Sequence, residues 1–131
     1  MILKPTNRGS RVRQVCLDKC CEEPYVRLKD TGKYADEVVE LPSGEVVVVE
    51  EAKRPRAVDG EQAIKTFEKL RSMGKRVVAV AVVGRYGFDR RDLGLIAQAL
   101  RAECSKYKAT PLILTPRRVV RIDSIEFVVD C

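Results

Sequence analysis

Four consecutive valines, Val46-Val47-Val48-Val49, lie near the middle of this chain, and Glu50-Glu51-Ala52-Lys53 follow without a break. β-Branched side chains are stiff about χ1 and suit a pleated surface. An unbroken apolar run, rather than an alternating one, is expected of a strand covered on both faces. The run therefore sets a central strand over Glu45–Ala52 and requires elements above and below it. It also requires that a buried strand end abruptly in charge.

The flanking segments supply those elements. Tyr34–Leu41 reads as a partner strand, joined through Pro42-Ser43-Gly44 as a hairpin. Asp59-Gly60 opens a helix to about Met73, with Ala63, Ile64, Phe67 and Leu70 on its apolar face and Gly74 at its C-terminal stop. Arg76–Val83 is a second β-branched strand, so strand, helix and strand form a parallel, right-handed unit. Asp89 and Asp92 start another helix, running to about Lys106 with Leu93, Ile96, Ala97 and Leu100 inside. Pro111–Leu114 and Ile125–Val129 read as short strands, and Arg117–Ile122 fits helix or strand. Upstream, residues 1–9 look like a flexible basic arm. Ser10 caps an expected helix to about Glu23, with Val12, Val15, Cys16 and Cys20 as its stripe. Tyr25–Lys29 alternates like a strand. The expected class is α/β with a mixed sheet, and 131 residues suit a single domain.

Histidine is absent, which excludes His-based triads, His proton shuttles and His metal ligands. Acid–base or metal chemistry falls to carboxylates, Lys, Tyr or Cys. Lys and Arg number 25 against 19 Asp and Glu, a net charge of +6 that favours a polyanionic partner. No apolar run approaches the length of a membrane span, and the N-terminus lacks a signal peptide's apolar core, so no membrane partner and a cytoplasmic location are expected. One Asn and three Gln beside abundant charge resemble a thermophile's composition. The five cysteines, Cys16, Cys20, Cys21, Cys104 and Cys131, include no CxxC pair. Small buried residues are the leading reading for them, with a disulfide or a metal centre as alternatives.

The charge is segregated. Residues 34–52 carry six acids and no base, and Arg8, Arg11, Arg54 and Arg56 lie to either side. In a strand, residues two apart share a face, so Glu51 and Lys53 point together. A two-residue turn at Ser43-Gly44 sets Asp36 opposite Glu51, at a side-chain spacing of about 5 Å. A three-residue turn sets it opposite Glu50. Close carboxylates repel unless a cation shares them. A hard divalent ion takes carboxylate, water and phosphate oxygens, and a neighbouring ammonium can orient water or offset developing negative charge.

Asp36, then a hairpin, then Glu51-Ala52-Lys53 at the end of the next strand resembles the PD-(D/E)xK, or restriction endonuclease-like, nuclease superfamily. Its αβββαβ core is similar in order to residues 10–83, and the closest likeness in size and layout is to archaeal Holliday-junction resolvases. The resemblance implies a metal-dependent nuclease hydrolysing phosphodiester bonds of DNA, structure-specific or junction-resolving in type, working as a homodimer with Mg²⁺ or Mn²⁺. Asp36 and Glu51 would bind metal and Lys53 would position or activate water. Gln62 would assist from the following helix, with Glu22 or Glu23 as further acids. Arg8, Arg11, Arg54 and Arg56 would hold phosphates. No proline precedes Asp36, and Thr66 stands where some branches carry Tyr. The alternative is a catalytically inactive module binding nucleic acid or protein. Glu37 and Glu50 are expected to face solvent or to serve as auxiliary ligands. Tyr86 and Phe88, in a glycine-bounded loop, either pack on the core, the favoured reading, or stack on a base.

Overall fold

The valine run lies in strand β4, Val46–Ala52, whose four valines are fully buried between two layers. The structure is a computed structural model that describes residues 2–20 and 22–131, with Thr31 described by its backbone alone. The other elements are β1 (Leu3–Pro5), β2 (Arg13–Cys16), a 3-10 helix (Tyr25–Thr31), β3 (Glu37–Glu40), α1 (Ala57–Ser72), β5 (Val77–Gly84), α2 (Arg90–Lys106), β6 (Thr110–Leu114), β7 (Val119–Ile122) and β8 (Ile125–Val129).

A five-stranded sheet runs in the order β2-β3-β4-β5-β6. β2, β3 and β4 are antiparallel, while β4, β5 and β6 are parallel. Each parallel step is bridged by one helix, α1 then α2. Val46 and Val48 face the helices, packing with Phe67, Leu70, Ile96, Leu100 and Cys104. Val47 and Val49 face a three-stranded sheet, β1-β8-β7, and pack with Leu3, Ile122, Phe127 and Val129. The mixed α/β class, the hairpin and the parallel strand–helix–strand unit agree with the sequence pattern. Burying each valine contributes about 1.5–3 kcal/mol, so the run anchors both layers.

Three expectations at the N-terminal end are corrected. No helix spans residues 10–23; Arg13–Cys16 is strand β2, pairing Gln14 with Val39 and Val15 with Val38. The backbone of β3, buried at Val38 and Val39, needs a partner on its outer edge, and that requirement overrides a helical stripe built largely from small cysteines. Tyr25–Thr31 is a 3-10 helix rather than a strand. Its buried residues, Tyr25 and Leu28, are three apart, the period of that helix. Residues 3–5 are not a free arm: they form β1 on β8, because Leu3 is fully buried and the Ile2 and Leu3 N–H groups donate to Glu37 at 3.0 and 3.1 Å.

Candidate active site

The position of Asp36 is decided at the hairpin. Leu41 N–H donates to Glu45 O at 2.8 Å and Gly44 N–H donates to Leu41 O at 2.9 Å, enclosing a three-residue turn. Gly44 closes it at φ 90°, a conformation that glycine alone adopts without strain. The resulting register pairs Glu37 with Val49, and one step further sets Asp36 opposite Glu50. The two-residue turn that would have set it opposite Glu51 does not form. Asp36 and Glu50 therefore share the helix-facing side of the sheet, and Glu51 points to the other.

Glu50 is 4% exposed, contrary to its expected place in solvent. Burial, the Asp36 charge and hydrogen bonds with Asp36 and Asp59 push its carboxyl up to about 10. The proton belongs to Glu50, which donates to Asp36; that hydrogen bond favours the ionised form of Asp36. Burial still raises the Asp36 carboxyl, against the Glu51 N–H that donates to its Oδ2 at 2.7 Å. Glu50 Oε1 has no hydrogen-bond partner. A buried oxygen of this kind costs the full desolvation of the group unless something supplies a positive charge or a donor.

Helix α1 holds the strand that carries Asp36. Ala35 N–H donates to Thr66 Oγ1 at 2.8 Å, and Thr66 Oγ1–H donates back to Gln62 O at 3.0 Å. Asp59, at the third position of α1, accepts Arg56 N–H at 2.7 Å and faces Glu50 from the helix side. Gln62 lies one turn on from Asp59, on the same flank of α1. It is half-buried, and its backbone carbonyl accepts the Thr66 hydroxyl.

On the opposite side of β4, Arg85 Nη2 lies 2.5 Å from Glu51 Oε1. That contact raises the Arg85 guanidinium, and the Cys131 thiol, raised by burial, hydrogen bonds the same carboxylate. Lys53 stands just past β4 and is exposed. Its carbonyl accepts Tyr86 N–H at 2.8 Å, and Ala52 O accepts Arg85 N–H at 2.9 Å, so the loop after β5 is stitched to the end of β4. Arg54 and Arg56 are exposed at this end, with Arg54 3.4 Å from Asp89. Both α1 and α2 begin here, and Asp92 of α2 accepts Ala57 N–H at 3.3 Å.

Arg8 and Arg11 are placed elsewhere. They precede Arg13, which pairs with Glu40 at the opposite end of β3 from Asp36. Glu22 and Glu23 are engaged by Arg13 at 2.6 Å and Arg27 at 2.8 Å. Glu37, 2% exposed, ties down β1 and is not a solvent-facing acid. Cys20 and Cys104 are buried free thiols, Cys16 is an exposed one, Cys131 is exposed as a residue with its thiol partly covered against Glu51, and Cys21 lies outside the described residues. A basic concavity of about 330 Å³, lined by Arg71, Lys75, Arg76, Lys108 and Tyr107, lies at the far end. There α1 and α2 terminate, and the cations offset the negative ends of the helices.

Sequence reasoning held Glu50 only as the alternative partner of Asp36 or an auxiliary ligand, and gave no site role to Asp59, Thr66 or Arg85. Glu50 continues the Val46, Val48 alternation onto the helix face, a signal visible in the sequence once the turn length is known. Arg85 carried none, because its partner comes from a neighbouring strand. Among the described residues, no three or more His, Cys, Asp or Glu side chains form a group that could hold a metal ion. No helix of the described residues is long and apolar enough to cross a membrane. No protein-family model, curated protein or solved structure matches the chain, so its chemistry is read from the geometry alone.

Proposed function

We propose that the chain is a divalent-metal-dependent nuclease that hydrolyses phosphodiester bonds of DNA at the Asp36–Glu50 end of the central sheet. The observation that carries this reading is the Asp36–Glu50 pair itself: two carboxyl groups in contact, Asp36 half-buried and Glu50 buried, the latter holding a proton far above its usual range and leaving an oxygen without a partner. A cation between them would release that proton and satisfy the oxygen. Mg²⁺ is commonly held by one or two carboxylates, with water and phosphate oxygens completing its shell, so a pair suffices where an all-protein cage is missing. When bound, the ion polarises the phosphoryl group and lowers the pKa of a coordinated water.

The chain's own residues supply the rest. Asp36 and Glu50 hold the ion, and Thr66 fixes the backbone from which Asp36 projects. Glu51, on the other side of β4 and paired with Arg85, lies outside this pair and contributes its backbone N–H to Asp36. Lys53, one residue past the strand, orients water or offsets charge on the phosphate. Arg54 and Arg56, beside two helix N-termini, hold flanking phosphates. The antiparallel β2-β3-β4 meander followed by α1 and a parallel β5 supports the restriction endonuclease-like likeness, without its first helix. The homodimer remains part of the proposal, because one small domain offers little surface to a duplex.

Cleavage of plasmid DNA in Mg²⁺ and in EDTA tests this. Asp36→Asn, Glu50→Gln and Lys53→Ala should each lower Mg²⁺-dependent cleavage by about 10²–10⁴-fold, the usual worth of a positioned acid or base. Full activity in the Glu50→Gln or Lys53→Ala protein would overturn the assignment. The Arg85–Glu51 contact favours a second reading, a module that binds nucleic acid without cutting it, since it occupies the acid of the ExK motif. Calorimetry with Mn²⁺ separates the two: no heat of binding in the wild type selects the binder.

A further inference from the structure

We infer that Tyr86 is a stacking platform for an unpaired nucleobase next to the phosphate held at Lys53; this deepens, and rests on, the nucleic-acid reading above. The two aromatics of the loop after β5 have separated roles. Phe88 packs inward, its ring filling the space where a Cβ on Gly84 would lie 2.8 Å from Cε2. Tyr86 is 62% exposed, the most exposed of the large apolar side chains among the described residues. An exposed ring on a mobile loop would be unremarkable, but this one is held. Its N–H donates to Lys53 O at 2.8 Å, Arg85 N–H donates to Ala52 O at 2.9 Å, and Gly87 N–H donates to Gly84 O at 3.2 Å. Fixing the backbone in advance reduces the ordering cost of binding.

The neighbours of Tyr86 define what it would meet. Its hydroxyl contacts the Arg85 guanidinium, which is also bound to Glu51. Lys53, whose carbonyl accepts the Tyr86 N–H, is exposed, and Arg90 and Arg91, exposed as well, open α2 a few residues on. A flat, amphipathic ring among cations suits a base attached to a phosphate backbone: stacking supplies the apolar contact and the cations meet the phosphates. In an uninterrupted duplex both faces of each base are covered by neighbours. An unpaired base, in a gap, a flap or a single strand, presents faces that a paired one does not, so the platform selects nucleic acid with unpaired nucleotides at the reaction centre.

Two probes test this in EDTA by fluorescence anisotropy: a fluorescein-labelled 12-nucleotide oligothymidylate, and a blunt duplex of the same length. Tyr86→Ala should weaken binding of the single strand by about 5- to 100-fold, the range for loss of one stacked base. Tyr86→Phe should restore it, and duplex binding should stay within about twofold of wild type. Photocrosslinking of a 5-iodouracil-substituted strand should mark Tyr86 itself, which a merely structural role would not produce. If the Tyr86→Ala protein binds single strand and duplex with equal loss, or with no loss, the stacking role is wrong while the nucleic-acid reading stands. If the wild type binds neither probe, both fall together.

Discussion

Arg85 Nη2 and Glu51 Oε1 are 2.5 Å apart, so the acid that the ExK pattern singles out is already paired with a cation from the loop after β5. The partner of Asp36 is instead Glu50, on the other side of β4. One additional turn residue accounts for the exchange, because side chains alternate along a strand and a shift of one transfers every one of them to the opposite face. Arg85→Ala should lower the melting temperature, since Glu51 is left largely buried without its counter-ion. Combining it with Glu51→Gln should recover most of the loss. Thermal melts of the two single variants and the double variant check this, and strictly additive losses would contradict the pairing.

Glu50→Gln should make the metal-free protein more stable at neutral and alkaline pH. The folded state holds the Glu50 proton up to about pH 10, whereas the unfolded chain releases it near 4.5. Between those values the folded state binds more protons than the unfolded one, so this group's contribution to stability falls as pH rises. The wild-type melting temperature should decline across that window more steeply than that of Glu50→Gln. The difference at pH 8 should be several degrees, about 4 °C for each kcal/mol in a domain of this size. Mg²⁺ should raise the wild type and leave the variant unmoved. Parallel pH profiles for the two proteins would contradict the placement of the proton.

Glu37→Ala should loosen the N-terminal strand. Glu37 accepts the Ile2 and Leu3 N–H groups inside the fold, and its removal leaves two donors without partners, at a cost of about 1–3 kcal/mol. Hydrogen exchange should show lost protection at Ile2 and Leu3 and weakened protection in β8, with β4 and β5 nearly unchanged. Equal loosening of β4 would mean that the acid holds more than this strand.

Gly84→Ala should displace the loop that carries Arg85 and Tyr86. A Cβ there would stand 2.4 Å from Gly87 O and 2.8 Å from the Phe88 ring. The backbone oxygen cannot be moved without opening the turn, so a cost of about 1–3 kcal/mol is expected, as for other overpacked sites. Circular dichroism should report an intact fold, with nucleic-acid binding reduced at least as far as by Tyr86→Ala. Wild-type binding would mean that the loop geometry does not matter.

Much of the architecture was legible in the chain. Val46–Val49 implied a strand covered on both sides, and the spacing of Ala63, Phe67 and Leu70 implied the helix that covers one of them. Asp36 and the Glu50–Lys53 cluster stood out because charge so close to a buried run is unusual. Local pattern failed at residues 10–31, where Cys16 and Cys20 mimic a helical stripe. There the outcome was set by the unpaired edge of β3, a demand created by residues twenty or more positions away.

By itself, the sequence determined that a buried strand would run into acid, that no histidine would take part, and that carboxylates and lysine would have to carry any chemistry. These follow from side-chain type and period, which act over a few residues. Only the tertiary structure decided which acids meet. Asp36 faces Glu50 because the hairpin turn has three residues. Glu51 faces Arg85 because β5 lies parallel to β4. Thr66 steadies Asp36 because α1, packed on β4 and β5, brings its hydroxyl to the Ala35 N–H. Each contact joins residues distant in the chain, and its energy depends on register and burial, which no local pattern encodes.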